Sequence, residues 1–259
     1  LRVGLIKISA TRHILMFDIS HIISDGISTG ILVEEFTGLY EGRQLPGLRI
    51  QYKDYAAWQN GQIKAGRLKK QKEYWLQAFA GELPALDLAA DFPRPAVRSF
   101  EGGLIRSRIG PELTRRINRL AAETQTTVYM ILLAALNIML YKYTGREDIV
   151  IGSPVAGRPH ADLEKLIGMF VNTLAMRNYP AESKTFKEFL AEVKENALQA
   201  YQNQDYQFEE LVEALNLRRD LSRNPLFDVM FVLQNTENKQ IEIKGLQFIP
   251  TDSSKSDKR

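Results

Sequence analysis

Residues 18–28, with the sequence DISHIISDGIS, lie where a predicted strand ends and a predicted helix begins. The apolar run just before them is brief and is followed by turn residues, which indicates a buried strand rather than a helix. After Gly26 the apolar residues recur at helical intervals, which predicts a helix over 27–40. His21 and Asp25 therefore fall at a strand-to-helix junction, where folds commonly expose a reactive side chain.

The composition is that of an ordinary globular protein: 259 residues, of which 44% are hydrophobic and 25% charged. The 34 basic and 31 acidic residues are interspersed, so the sequence shows no basic patch of the kind that binds nucleic acid. No apolar run approaches the roughly 18 residues that a membrane span needs, and there is no signal-peptide pattern. The absence of Cys excludes disulfides, thiolate metal sites and a Cys nucleophile. We therefore expect a soluble, cytoplasmic protein without a nucleic-acid or membrane partner.

The chain mixes helical and strand patterns throughout, which predicts an α/β fold with α+β sandwich layering. Residues 81–103 are rich in Pro and Gly and have little periodicity, so they are the best candidate for a boundary. We expect an N-terminal lobe over 1–95, which carries the histidine motif, and a C-terminal lobe over 96–250. Residues 251–259 form a polar tail.

Hydrophobic periodicity predicts further elements along the chain. Strands are expected at 3–9, 12–19, 104–109, 149–152, 172–179, 226–234 and 241–249. Helices are expected at 27–40, 52–79 with a break near Gly61 or Gly66, 111–123, 126–143, 185–201 and 207–216, with a short helical turn at 162–167.

His21 is the strongest candidate for chemistry among the three histidines, because a carboxylate and a flexible glycine follow within five residues. A neutral imidazole can accept a proton near physiological pH, although a structural role for His21 stays open at this point. Asp25 could cap the following helix or form an ion pair that shapes the loop. Gly26 permits a positive φ or the close approach of a ligand.

The other candidates are weaker. His13 and His160 read as surface or structural histidines, and one His with one Asp does not make a metal-ligand set, so we expect no metal site. Three serines could be proposed as nucleophiles, but none lies in a Gly-x-Ser-x-Gly elbow, and there is no glycine-rich phosphate loop. These serines are Ser24, Ser28 and Ser153.

Five ordered motifs resemble the condensation domains of non-ribosomal peptide synthetases. Residues 20–26 (SHIISDG) align with the family's core motif, His-His-x-x-x-Asp-Gly. The other four stretches follow in the family's order and are 52–58 (YKDYAAW), 167–177 (IGMFVNTLAMR), 203–209 (NQDYQFE) and 219–226 (RDLSRNPL).

The resemblance implies two lobes, each like chloramphenicol acetyltransferase, with a tunnel between them. It implies an acyltransferase that joins a carrier-bound donor acyl thioester to a carrier-bound acceptor amine, in the biosynthesis of antibiotics and other secondary metabolites. The partners are carrier domains, which present 4'-phosphopantetheine arms, and an adjacent adenylation domain. No cofactor is expected to bind this chain directly.

The resemblance also assigns roles to individual residues. His21 matches the family's second, catalytic histidine, which acts as general base or positions the amine. Asp25 matches an aspartate that pairs with an arginine of the other lobe, for which Arg158 is the best candidate. Gly26 keeps the tunnel open, and Asn172 lines the site from the second lobe.

The chain departs from the family pattern at Ser20, which stands where the family has its first histidine. A degenerate module that only docks carrier domains is therefore one alternative, and an epimerisation domain of the same superfamily is another. The stretch after Gly26, residues 28–31, favours condensation over epimerisation. Because two N-terminal family motifs are missing and neither end reads as a natural terminus, we expect an internal piece of a synthetase with an incomplete first lobe and no activity by itself.

Overall fold

The computed structural model describes residues 1–99, 101–217, 220–234, 242–243 and 245–249. Arg219 and the predicted polar tail 251–259 lie outside the described residues. The chain divides into two compact units. Unit 1 comprises 1–61, 158–170 and the described part of 234–259, and unit 2 comprises 62–157 and 171–233.

The described elements follow one another in a mixed order of strands and helices, as the predicted fold class requires. In chain order they are β1 (Arg2–Lys7), β2 (His13–Asp18), a 3-10 helix (His21–Ile23), α1 (Gly26–Tyr40), α2 (Tyr52–Lys64), α3 (Lys69–Ala78), α4 (Pro111–Thr124), α5 (Val128–Thr144), β3 (Ile149–Val155), a second 3-10 helix (Ala161–Leu163), β4 (Asn172–Asn178), α6 (Phe186–Gln202), α7 (Phe208–Ala214), β5 (Val229–Met230), β6 (Glu242–Ile243) and β7 (Leu246–Gln247).

In unit 1, β1 and β2 form an antiparallel pair in which Val3 lies opposite Phe17. The predicted strands are confirmed, but the expectation that the second is buried is wrong. Ile14 and Leu15 are half-buried, whereas Phe17 is exposed. The reason is that this sheet has only two strands among the described residues, so each strand has a paired neighbour on one edge only and buries less of its side chains than a strand inside a larger sheet.

Unit 2 is built on a three-stranded sheet in the order β4-β3-β5. The central strand β3 runs antiparallel to β4 and parallel to β5. Helices α5 and α6 pack against this sheet and against each other. The core between them is closed by fully buried side chains, including Leu133, Ile149, Ile151, Phe189 and Val193.

Local signals explain where the helices begin and end. The Thr127 hydroxyl accepts a hydrogen bond from the Met130 amide at the start of α5, and Gly145 ends that helix in the left-handed conformation. Helix α6 begins with a reciprocal capping box between Thr185 and Glu188. The predicted break in 52–79 is confirmed, because α2 ends at Lys64 and the following turn contains a glycine at positive φ.

One predicted strand is wrong, and another is shorter than predicted. Residues 104–109 are irregular, and Ile105 is 96% exposed, because no described strand pairs with them. The predicted strand 226–234 is reduced to Val229–Met230, since Leu226 and Phe227 turn into the core instead of continuing the ladder.

The two compact units do not follow the predicted lobe boundary near residue 95. Residues 62–95 pack within unit 2, and 158–170 pack within unit 1. The division into lobes over 1–95 and 96–250 stays a prediction about the complete domain.

None of the described helices is by itself long and apolar enough to cross a membrane. Helices α4 and α5 reach that length and hydropathy only as a pair, bent by 104° at the break between them.

The packing around β3 predicts that Gly152→Ala destabilises the protein. A Cβ at this position would lie 2.4 Å from the buried Phe227 ring, which has little room to move. Such overpacking costs about 1–3 kcal/mol. Gly61→Ala is the matched control, because nothing lies within 4 Å of a Cβ there and alanine favours the helix. Urea unfolding should therefore show a lower midpoint for Gly152→Ala than for Gly61→Ala, and equal midpoints would contradict the packing described.

Candidate functional site

Asp25 caps the N-terminus of α1. Its backbone is extended, and its Oδ1 accepts a hydrogen bond from the Ser28 amide at 2.8 Å. The Asp25 carbonyl accepts the amide of Thr29 at 3.0 Å, which closes the first turn of the helix. The capping role considered for Asp25 is therefore observed, and it leaves the second carboxylate oxygen free for other partners.

The structure brings Asp25 and Arg158 together in a buried ion pair within unit 1. Arg158 Nη1 donates to Asp25 Oδ2 at 2.6 Å, and Nη2 donates to Oδ1 at 3.2 Å. The two side chains are 3% and 0% exposed, for Arg158 and Asp25 respectively. The pair is thus bidentate and desolvated, the geometry in which charge-assisted hydrogen bonds are strongest.

The other donors of Arg158 bind backbone carbonyls of the segment that follows it. Nε donates to the Leu163 carbonyl at 3.2 Å, and Nη2 also donates to the Leu166 carbonyl at 3.1 Å. The guanidinium carbon lies 4.1 Å from the centroid of the Phe170 ring, within the range of a cation–π interaction. Arg158 therefore holds residues 163–170 around its own guanidinium group.

The same segment is bound to α1 by Ser28 and Asp25. The Ser28 hydroxyl donates to the Gly168 carbonyl at 2.9 Å and accepts from the Gly168 amide at 3.0 Å. It also accepts from Arg158 Nη2 at 3.0 Å. The Phe170 amide donates to Asp25 Oδ2 at 3.2 Å. With one donor and two acceptor positions in use, the Ser28 hydroxyl has no capacity left to act as a nucleophile.

These contacts determine how Asp25 ionises. Burial raises the pKa of its carboxyl group, but the hydrogen bonds from Arg158, Ser28 and Phe170 outweigh that effect. The pKa of Asp25 is therefore lowered from its ordinary value of 3.8. The carboxylate is charged at neutral pH, as the ion pair requires.

Aromatic side chains close the cluster on the side of α2. The Tyr52 hydroxyl donates to the Met169 carbonyl at 2.9 Å, and its ring packs edge-on against Phe170 at 5.1 Å between centroids. Tyr55 packs against the same phenylalanine ring at 4.8 Å. A Cβ at Gly168 would lie 2.1 Å from the Tyr52 ring, so only glycine fits between Tyr52 and Ser28.

His21 begins the 3-10 helix that precedes this cluster, and its side chain is exposed. Its carbonyl accepts the amide of Ser24 at 3.3 Å. The Ser24 hydroxyl donates to the carbonyl of Ser20 at 3.2 Å, and Ser24 is itself buried. The backbone of His21 is thus tied to the buried turn, while the imidazole stays accessible. Ser20 is exposed, and its side chain makes no capping hydrogen bond.

Gly26 is the first residue of α1 and does not have a positive φ. The suggestion that a glycine is needed here for a positive φ is therefore wrong. A Cβ there would meet nothing within 4 Å. The open space beside Gly26 is what close approach by a ligand would require.

Asn172 lies in unit 2, and its side-chain amide binds only backbone groups. Its Nδ2 donates to the carbonyls of Gln204 and Tyr206 at 2.8 and 2.9 Å. Its Oδ1 accepts the amides of Thr173 and Phe208 at 2.8 and 3.1 Å. The described contacts make Asn172 a clamp for the 203–208 segment, and its predicted place in the active site stays a prediction.

The remaining candidates have local partners. The His160 Nδ1 accepts the Asp162 amide at 3.2 Å and caps the second 3-10 helix. Ser153 is buried in unit 2, where its hydroxyl accepts from Tyr129 at 2.7 Å and donates to the Phe231 carbonyl at 3.1 Å. Among the described residues, no group of three or more His, Asp or Glu could hold a metal ion.

Several members of the cluster had no structural role assigned from the sequence. Gly168, Phe170 and Tyr52 all lie in stretches that resemble family motifs, and Ser28 lies in the opening stretch. Motif membership is the signal that could have found Gly168, Phe170 and Tyr52. Ser28 meets Gly168 across 140 positions and Tyr52 meets Met169 across 117, separations that hydrophobic periodicity cannot register.

The lowered pKa of Asp25 predicts a specific dependence of stability on pH. A carboxyl whose pKa is depressed by folding contributes stability above its unfolded value and loses it as the pH falls through the folded value. At pH 7 Asp25→Asn should lower stability by about 3–5 kcal/mol, because it leaves the Arg158 charge buried without its partner. The gap to the wild type should shrink as the pH is lowered below about 4, the ordinary range for an aspartate, as measured by urea unfolding.

Asp91→Asn is the control for this experiment, since Asp91 is exposed in an irregular segment. It should leave the urea midpoint unchanged. A gap between wild type and Asp25→Asn that stays constant across the whole pH range would contradict the ionised pair.

Known proteins resemble this chain in both sequence and fold. The condensation domain family model matches residues 1–258. Gramicidin S synthase 2 of Brevibacillus brevis is 54% identical over 251 residues, which make up 96% of this chain and 6% of that protein. The chain therefore spans only a small part of the length of the curated relatives it matches.

Solved structures agree with the sequence relatives. The X-domain from teicoplanin biosynthesis has a TM-score of 0.82 and 27% identity, over 88% of this chain and 53% of that one. A four domain nonribosomal peptide synthetase bound to AMP and glycine also has a TM-score of 0.82, at 25% identity, over 92% of this chain and 18% of that one. These neighbours have the chloramphenicol acetyltransferase-like fold, which confirms the predicted fold class. Because the family model covers nearly the whole chain, the chain belongs to the condensation domain family of non-ribosomal peptide synthetases.

Proposed function

We propose that this chain forms peptide bonds, joining a carrier-bound donor acyl thioester to the amine of a carrier-bound acceptor. Membership of the condensation domain family supports the reaction class. The observation that points to one residue is the exposure of His21. It precedes Asp25, which is buried in its ion pair with Arg158, by four positions in the chain.

The proposed reaction is an acyl transfer from sulfur to nitrogen. The amine nitrogen of the acceptor attacks the carbonyl carbon of the donor thioester, a C–N bond forms, the C–S bond breaks, and the donor thiol leaves. The amine loses one proton, which His21 can accept as a neutral imidazole and return to the departing sulfur. If His21 instead only positions the amine, the leaving thiolate takes that proton directly.

Holding two substrates together supplies much of the acceleration. A bimolecular reaction becomes effectively unimolecular when both reactants are bound in the right geometry. The substrates would be delivered on 4'-phosphopantetheine arms by carrier domains of the same assembly, next to an adenylation domain. The open space at Gly26 supports close approach of such an arm to His21.

A degenerate, non-catalytic module that only docks carriers is the second candidate, and Ser20 favours it. The family's first histidine is replaced there by a short hydroxyl side chain that is exposed and caps nothing. The epimerisation alternative has no observation of this kind in its favour.

The test is a reconstitution of the complete condensation domain that carries these residues, with two loaded carrier domains. Wild type should form dipeptide, and His21→Ala should lower the rate by about 10²–10⁴-fold, the usual contribution of a general base. His13→Ala is the matched control, because His13 is an exposed histidine of the same unit at the start of β2. Product would be followed by mass spectrometry of the acceptor carrier.

Equal rates for wild type and His21→Ala would remove His21 from the mechanism. No product from wild type, together with intact carrier binding, would favour the docking module. In that event, product from Ser20→His would identify the Ser20 substitution as the cause.

A further inference from the structure

We propose that Ser28 is a positioning residue for His21. Its hydroxyl locks the 166–170 segment onto the first turn of α1, and that turn holds the 3-10 helix that begins with His21. The part of this proposal that concerns catalysis rests on the proposed function, whereas the part that concerns the geometry of His21 does not.

The Ser28 hydroxyl clamps one residue by both of its backbone polar groups. It donates to the Gly168 carbonyl and accepts from the Gly168 amide, at 2.9 and 3.0 Å. Ser28 is 1% exposed, so water does not compete for these bonds. The Ser28 side chain thus satisfies both backbone polar groups of Gly168, as a neighbouring strand would in a sheet. These two bonds hold the segment against α1.

The clamp is rigid because Tyr52 holds Gly168 as well. The Tyr52 ring occupies the space that a side chain at Gly168 would need, and the Tyr52 hydroxyl binds the next carbonyl, that of Met169. Packed interiors transmit displacements of this kind because they contain few voids. The segment therefore cannot move away from Ser28 without also displacing Tyr52.

The segment and His21 are connected through Asp25. The Phe170 amide binds the Asp25 carboxylate, and Arg158 binds both that carboxylate and the Ser28 hydroxyl. Asp25 follows Ser24, whose amide binds the carbonyl of His21. A shift of the segment is thus passed to the turn that carries the imidazole.

Removing the hydroxyl leaves three buried groups without one of their partners: the Gly168 amide, the Gly168 carbonyl and Arg158 Nη2. Buried polar groups that lose a hydrogen bond are unfavourable, so the segment should move to find other partners. The expected consequence for His21 is a displaced or more mobile backbone, and with it a changed environment of the imidazole.

The experiment uses the three histidines of the chain as probes. In protein labelled with ¹³C-histidine, each imidazole gives its own proton–carbon signal, and His21→Asn assigns the signal of His21. Ser28→Ala should shift or broaden the His21 signal and leave that of His13, on β2, unchanged. Thr37→Ala is the matched control, because Thr37 lies on the same helix and its hydroxyl binds only the Val33 carbonyl at 2.8 Å. It should leave all three signals unchanged.

An unchanged His21 signal in folded Ser28→Ala would overturn the proposal. If Ser28→Ala does not fold, Ser28→Cys replaces it, since cysteine is close to serine in size but a weak hydrogen-bond donor and acceptor. A shifted or broadened His21 signal in that variant supports the proposal, and an unchanged signal overturns it.

Turnover by the complete domain separates this proposal from the proposed function. Ser28→Ala should lower kcat by about tenfold or more while leaving the KM for loaded carriers unchanged, because a misplaced catalytic group slows chemistry rather than binding. If His21→Ala abolishes turnover while Ser28→Ala changes neither kcat nor the His21 signal, the positioning role fails and the proposed function stands. If the His21 signal responds to Ser28→Ala but His21→Ala has normal turnover, the positioning role stands and the catalytic assignment fails.

Discussion

The buried ion pair between Asp25 and Arg158 is the interaction on which the described site depends. Removing two charges from water is costly, and their attraction compensates only when the remaining hydrogen-bonding capacity of both groups is also used. Both conditions hold here, because the carboxylate accepts from Arg158, Ser28 and Phe170. The guanidinium group in turn binds the carbonyls of Leu163 and Leu166. One pair therefore fixes the start of α1 and the whole 158–170 segment.

This arrangement separates the buried, hydrogen-bonded part of the site from His21, the residue proposed to react. Ser24, Asp25 and Ser28 are buried and their side chains are hydrogen-bonded, whereas His21, three residues before Ser24, is exposed. The role proposed for His21 needs fixed neighbours and an accessible ring, and the short 3-10 helix provides for both. Ser24 and Ser28 have structural roles and do not act as nucleophiles, since their hydroxyl groups donate hydrogen bonds to backbone carbonyls.

Local features of the fold could be predicted from the sequence, and long-range contacts could not. The strand pair before His21, the cap at Asp25 and the ends of α5 follow from neighbouring residues, so periodicity and capping rules suffice. Ser28 and Gly168 meet across 140 positions, and no local rule links them. Arg158 was implied only by the family resemblance. Residues 104–109 show that a local pattern can also mislead, because an apolar run forms a strand only where another strand can pair with it.

The central claim is that Arg158 holds the Asp25 carboxylate in place as an acceptor for two backbone amides, and hydrogen exchange measures those amides directly. The Ser28 and Phe170 amides should be protected in the wild-type protein. Arg158→Lys keeps the charge but cannot form the bidentate pair, so both amides should exchange at least about tenfold faster, while amides in the middle of α5 keep their protection. Unchanged protection of Ser28 and Phe170 in folded Arg158→Lys would contradict the account.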